Sequence, residues 1–333
     1  MQNGAHAVRP AVAASLLAIV SLGGVVPAAG AEAAKGQWVP ISEGVTSKVK
    51  CGWPGLTAGV AVDRASGDVF MVVCDQGLWR SSDRGATFKR ADGGAVGGRC
   101  ETGFALNADP AGGRLMCFMI YGGSAYTADG GKTWKKSQTS HLDIGAVDWE
   151  ATGQCLLSVR HESGGTLCLS ADAGAGWKDL GKGFAKVGLF DAKTLVASKG
   201  KGLVRSADGG ATWTDVSDVT PAGFVMTAFR GTGYWTTEKG LLVSKDKGAT
   251  WAILGAPVNA FYGPYVGKDE KHLVVVGKEG FHETKDGGLT WAPAAPLPNG
   301  MGVGFTGPNY AWDPKGNIFY ASTMGKPTVT YVR

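Results

Sequence analysis

One octapeptide recurs six times along the chain, at residues 81–88, 127–134, 170–177, 206–213, 244–251 and 284–291, and follows S/T-x-D-x-G-x-T-W with few departures. Its aspartates, Asp83, Asp129, Asp172, Asp208, Asp246 and Asp286, are separated by 46, 43, 36, 38 and 40 residues. A period in this range is the length of one four-stranded propeller blade. The fixed positions have a mechanical reading: the carboxylate can accept backbone N–H bonds inside its own turn, the glycine supplies positive φ, and the aromatic ring packs where the chain leaves the turn.

Each interval divides in the same way. Blade one offers Ala58–Asp63 as inner strand A, Val69–Cys74 as B, Leu78–Ser81 as C and Phe88–Arg90 as outer strand D; blade four offers 187–190, 194–198, 203–206 and 212–216. Such short runs, rich in branched and aromatic residues and bounded by Gly and Asp, are strand signals. Residues 37–42 look like the strand after a box that is missing, while 317–323 and 328–332 look like strands B and C with no D. The expected fold is therefore all-β, a seven-bladed β-propeller over residues 37–333 whose last blade is closed by the N-terminal strand, a closure that removes free sheet edges.

Composition agrees. The 333 residues include 54 glycines, and charged residues are only 18%, which suits many short elements joined by tight turns. Net charge is +5 without basic runs, so no nucleic-acid partner is expected. Arg9, the apolar stretch from Ala11 to Val26 and the small residues 29–31 read as a signal peptide over 1–31, placing the mature chain outside the cytoplasm, secreted or periplasmic, without a transmembrane anchor. Export makes disulfides available to Cys51, Cys74, Cys100, Cys117, Cys155 and Cys168. The first three fall on one rim of the propeller, where at least one bridge is expected; Cys117 reads as a buried thiol, and the Cys155/Cys168 pair stays open.

These boxes resemble the Asp-box, or BNR, repeat, and from Trp38 to Arg333 the chain is similar to the Asp-box propellers. That superfamily includes sialidases, two-propeller xyloglucan-active glycosidases, sortilin-type receptor domains and a photosystem II assembly factor. The resemblance implies fold strongly and function hardly at all. It also implies that the box aspartates are structural, in turns at the outer underside, away from the usual ligand face. The arginine clamp and Tyr/Glu pair of a sialidase are not found: Arg9 is the only arginine before Cys51, and Arg64, at the end of the first strand A, is expected on the opposite face.

Function is therefore sought where the D-to-A and B-to-C connections gather. Candidate ligand-binding residues there are Trp53, Tyr121, Arg160, His161, Lys199, Lys201, Lys239, Lys278 and Lys326; the cations should focus a positive potential on the channel mouth. The acids Asp75, Glu101, Asp143 and Glu162 are the candidates for a paired-carboxylate mechanism, with His141 beside Asp143, but no spacing singles out two. No G-x-S-x-G, H-E-x-x-H or P-loop is present, and the Gly-rich stretch 91–98 lacks the strand-to-helix context of a phosphate loop. No metal or cofactor is expected. The reading is a monomeric, exported, non-catalytic binding or assembly module for a glycan or an acidic protein segment; the alternative is a carbohydrate-active hydrolase or lyase using rim carboxylates.

Overall fold

The computed structural model describes residue 1 and residues 35–119, 121–138 and 141–333; the signal-peptide reading falls outside them. Seven sheets, each of four antiparallel strands, follow one another around a central channel. Blade 1 runs Thr57–Asp63, Asp68–Val73, Gly77–Ser81 and Lys89–Arg90, within a residue or so of the sequence reading. Blade 4 runs Phe184–Leu189, Leu195–Lys199, Leu203–Ser206 and Thr214–Ser217. The second strands show why the chain folds this way. Residues 69–74 and 273–276 are almost unbroken apolar runs at 0–1% exposure, as a strand must be when neighbouring sheets cover both its faces. The outermost strands 89–90 and 135–136 are Lys and Arg pairs left in water.

The last blade closes as the missing box implied. Trp38–Pro40 pairs with Val329–Val332, aligning Trp38 with Tyr331 and Pro40 with Val329. The Ile41 N–H extends the pairing to Thr328 O at 2.9 Å. The Trp38 ring lies 5.9 Å from Phe281 of blade 6, and its indole N–H donates to Pro296 O at 3.0 Å. A short helix, Glu43–Thr46, which the sequence reading did not contain, follows this strand.

The box turns are held as their chemistry requires. In the fourth, Asp208 Oδ2 accepts the Thr212 hydroxyl at 2.6 Å, and Oδ1 accepts Thr212 N–H at 2.9 Å and the Ser206 hydroxyl at 2.8 Å. These bonds to the charged form, that of the Thr212 hydroxyl first, hold the carboxyl at about 2. Asp129, Asp246 and Asp286 sit at about the same value. The third box has Gly176 where the others have Thr; Asp172 keeps the Gly176 N–H at 2.8 Å and the Ser170 hydroxyl at 2.7 Å and is lowered mainly by the former.

The expected disulfide is absent: all six cysteines are free. The sulfurs turn to different neighbours. Cys74 Sγ donates to Gly55 O at 3.4 Å, Cys100 Sγ lies 3.4 Å from Met119 Sδ, and Cys51, partly exposed, leans on Val49 O at 3.9 Å. Cys74, Cys100 and the fully buried Cys117 share one apolar cluster, and burial pushes the Cys74 thiol up to about 11. Cys168 aligns with Ser158 rather than with Cys155, so the third-blade pair is offset along its strands.

Candidate functional site

Among the described residues, the D-to-A and B-to-C connections lie at one end of the barrel of blades, here called the upper face. Over blades 1 to 3 it carries a connected set of rings and charges. Arg99, in the loop entering blade 2, sits between two aromatic faces, 4.6 Å from the Trp53 centroid and 4.3 Å from that of Tyr121. Its guanidinium pairs with Glu101 at 2.6 Å. Tyr121 in turn contacts His141 edge-on at 5.3 Å and His161 at 5.7 Å. Backbone closeness makes this cluster possible: Arg99 N–H bonds Tyr121 O at 3.1 Å, and a Cβ on Gly98 would fall 1.5 Å from that same oxygen. Glycine in the 91–98 stretch thus serves loop against loop contact.

His161 is oriented by Asp143. Its Nδ1 lies 2.7 Å from Asp143 Oδ1, while Nε2 faces Tyr121 Oη at 3.5 Å and Glu162 Oε1 at 3.6 Å. Burial pushes the Asp143 carboxyl up from its ordinary value against the pull of the His161 bond, and the Glu101 and Glu162 charges add to the rise. An Asp–His pair of this kind can hold a tautomer and accept or relay a proton. Asp75, exposed on the adjoining turn, bonds through its backbone N–H to Gly98 O at 2.9 Å.

Trp53, Tyr121, His161, Glu101, Asp143 and Glu162 are thus brought together. Trp53 is outermost, 67% exposed despite its size. The cations divide differently. Lys199, Lys201, Lys239 and Lys278 stand exposed on the turns of blades 4 to 6, and none makes an ion pair among the described residues; Lys199 lies over the Phe184 ring at 4.9 Å. Lys326 donates to Gly300 O at 2.5 Å. Arg160 faces outward along its sheet, bonded to Asp179 of strand D at 2.9 Å, and so does not join a ring around the axis as the sequence reading supposed.

The upper channel mouth is also not open. Phe104, Phe224, Phe261 and Phe305, one from each of four entry loops, meet over the axis with centroid separations of 5.5 Å for Phe104–Phe224, 5.9 Å for Phe104–Phe261 and 4.7 Å for Phe224–Phe305. Tyr262 stacks beneath Phe104 at 4.8 Å and anchors its hydroxyl on Gly304 O at 2.7 Å. Beside this plug, Lys186 of blade 4 points its ammonium at the carbonyls of Pro221 and Ala222 and over the Phe224 ring at 4.8 Å. Burial drops it to about 8. Sequence reasoning placed Tyr262 and Phe305 among the loop residues of this face but missed Arg99, Lys186 and the plug's Phe104, Phe224 and Phe261. Arg99 could have been found from its place two residues before Glu101 in a loop already singled out.

Arg64 lies on the opposite, lower face, as expected, together with the A-to-B hairpins. No helix of the described residues is long and apolar enough to cross a membrane.

Comparison with known proteins agrees with this architecture. The BNR/Asp-box repeat family matches residues 125–136, the second box and its flanks. No curated protein matches the chain. Among solved structures, YCF48 from Cyanidioschyzon merolae is 12% identical with a TM-score of 0.49, covering 89% of this chain and 98% of its own. A structure of YCF48 bound to D1 peptide is 13% identical with a TM-score of 0.50, over 86% and 94%. The GH74 enzyme of Niastella koreensis is 16% identical with a TM-score of 0.40, and the likeness spans 82% of this chain but 55% of that one. At such identities the likeness concerns the fold alone.

Proposed function

We propose that this seven-bladed Asp-box propeller is an exported binding module whose upper face takes an acidic segment of a protein partner, with Trp53 as the stacking contact and the lysines of blades 4 to 6 as the anion-facing side. The observation that carries this reading is Trp53 itself: an indole 67% exposed, fixed from behind by Arg99 at 4.6 Å. A large rigid ring pre-organised at the surface is the type of group that dominates binding energy at interfaces. Lys201, Lys239 and Lys278, exposed and without ion pairs among the described residues, would steer an acidic chain toward it. The fold is compatible with a peptide ligand, since YCF48, similar to this chain in fold, has been solved bound to D1 peptide.

The acids argue for binding ahead of hydrolysis. Glu101 is committed to Arg99 at 2.6 Å and Asp143 to His161 at 2.7 Å, while Glu162 faces the same imidazole at 3.6 Å, which leaves the exposed Asp75 without an ion pair among the described residues. The Asp143–His161 pair keeps a hydrolase acting on glycans as the second reading.

The test is titration of a synthetic peptide of alternating Glu and Tyr at low salt. Saturable binding is expected, weakening several-fold in Trp53→Ala and in the Lys201→Glu/Lys239→Glu double variant and falling as salt rises, because exposed charges are screened within about 10 Å at 0.1 M. A parent protein that binds no acidic peptide, or a double variant that binds as the parent does, would sink the proposal. Polygalacturonate run in parallel reads out an acidic glycan as the ligand instead.

A further inference from the structure

Beneath the aromatic plug the channel continues to the lower face and opens there. Its upper part, of about 160 Å³, is walled by inner-strand side chains, apolar ones such as Val60, Val62, Leu106 and Met226 together with the polar Asn107 and Asn309. It widens into a vestibule of about 610 Å³ lined by Arg64, Asp109, Trp149, Glu150, Ala228, Phe229, Arg230, Lys268 and Lys315. From Phe104 at the plug to Pro110 at the lip is six residues of near-extended chain, roughly 20 Å.

Four cations, Arg64, Arg230, Lys268 and Lys315, line the vestibule against two carboxylates, Asp109 and Glu150. Asp109 is taken by Arg114 at 2.6 Å and by the Ala111 N–H at 2.8 Å. Glu150 reaches across the vestibule to accept the backbone N–H groups of Arg230 and Gly231, the latter at 2.7 Å. Arg230 pairs outward with Glu270 at 2.8 Å, and Lys315 donates to Ala65 O at 2.5 Å. Among the described residues neither Arg64 nor Lys268 has a carboxylate partner. Arg64 is half-buried, donates to Pro110 O at 2.6 Å and lies over Phe229 at 5.9 Å, with Arg230 over the same ring at 5.2 Å. The Arg230 charge bears on Arg64 beside this one ring, while the nearby Asp109 and Asp269 only partly offset it, Asp109 being bonded to Arg114 and Asp269 accepting the Lys271 N–H at 3.0 Å; an added anion there would relieve repulsion.

We propose that the lower channel is a binding site for a small monoanionic amphiphile, an alkyl carboxylate whose tail lies in the channel and whose head is held by Arg64 with Lys268 at the lip. A blind passage with valine, leucine and methionine side chains along its wall and convergent cations at its mouth suits that chemistry at both ends. A neutral amphiphile would leave the lip charge unmet, and a cationic one would meet repulsion. The site lies on the face opposite Trp53 and is independent of the upper-face reading.

The experiment is calorimetric titration of the full chain with decanoate, below its micellar range, beside decanol and decyltrimethylammonium. Decanoate is expected to bind saturably at one per chain, decanol about tenfold more weakly and the ammonium not at all. Arg64→Gln should lose about tenfold in affinity for decanoate, the worth of one charge-assisted bond, with cooperative unfolding retained. Ala228→Leu, which narrows the passage where channel meets vestibule, should weaken both decanoate and decanol; if it does not fold, Arg64→Gln decides alone. Decanol binding as tightly as decanoate, no saturable decanoate binding, or full affinity in Arg64→Gln would each overturn the proposal.

Discussion

The two ends of the central channel are built from the same repeat and yet have opposite character. At the upper end, loops of irregular length from four blades deliver Phe104, Phe224, Phe261 and Phe305 onto the axis and fill it. At the lower end, short A-to-B hairpins present Arg64, Arg230, Lys268 and Lys315 around an open vestibule. The blade repeat dictates the walls; the connections dictate what happens at each mouth. A propeller therefore need not place its ligand surface and its cavity on the same side. Here the exposed Trp53 and the uncommitted lysines stand above a closed end, and the cavity lies below.

The largest expected effect comes from the closed end. Phe104 is 8% exposed and touches three other rings. Phe104→Ala should cost about 3–5 kcal/mol, the usual range for removing a buried phenylalanine, read as a shift in the urea midpoint. At the open end Arg64→Gln, which gives up the bond to Pro110 O, should cost only about 1 kcal/mol. Equal losses at the two ends would break the comparison.

A smaller effect separates the ends by pH. Burial lowers Lys186, beside the plug, to about 8 in the folded protein against an ordinary 10.5. Between those values the unfolded chain binds more protons than the folded one, so stability attributable to this group rises as pH increases from about 8 toward 10.5. Lys186→Met should flatten that part of the profile; an unchanged slope would mean that the ammonium stays well solvated by its carbonyl partners.

The lower, outer turns respond to acid. Asp129, Asp208, Asp246 and Asp286, held at about 2, contribute stability that is present above the ordinary aspartate value and is lost as pH falls through about 2. Asp208→Asn should reduce the acid sensitivity between about pH 4 and 2 measured by melting temperature. Asp172→Asn should do so less, because the third box has Gly176 in place of the threonine hydroxyl. The smallest stability effect is expected at Trp53, where replacement by Ala should leave the melting temperature unchanged while peptide binding falls.

How far these features could be read in the sequence follows from how local they are. The box spacing places every blade, and the orphan strand at Trp38 places the closure, because both depend on a repeat confined to about 40 residues. The upper patch was half legible: Trp53, Tyr121, His161 and the acids were assigned to one face by blade position, but the Asp143–His161 bond and the Arg99 stack depend on how neighbouring loops lean together. The plug was not legible, since its phenylalanines follow their boxes at offsets of 21, 16, 15 and 19 residues, and only closure of the ring brings them into contact. The bridge expected among Cys51, Cys74 and Cys100 rested on shared rim position. Each sulfur in fact has its own neighbour in the packed rim, and position on a rim does not fix side-chain direction.

The central claim is that a partner segment binds the upper face, and hydrogen exchange of backbone amides with and without the Glu-Tyr peptide at low salt tests it most directly. The account predicts slowed exchange in the connections around 51–55, 75–76, 98–101, 161–165, 199–202, 238–240 and 278–280, with the lower hairpins around 64–67, 110–113, 230–231 and 268–271 unchanged. Protection confined to the lower hairpins, or none at either end under saturating peptide, would contradict it.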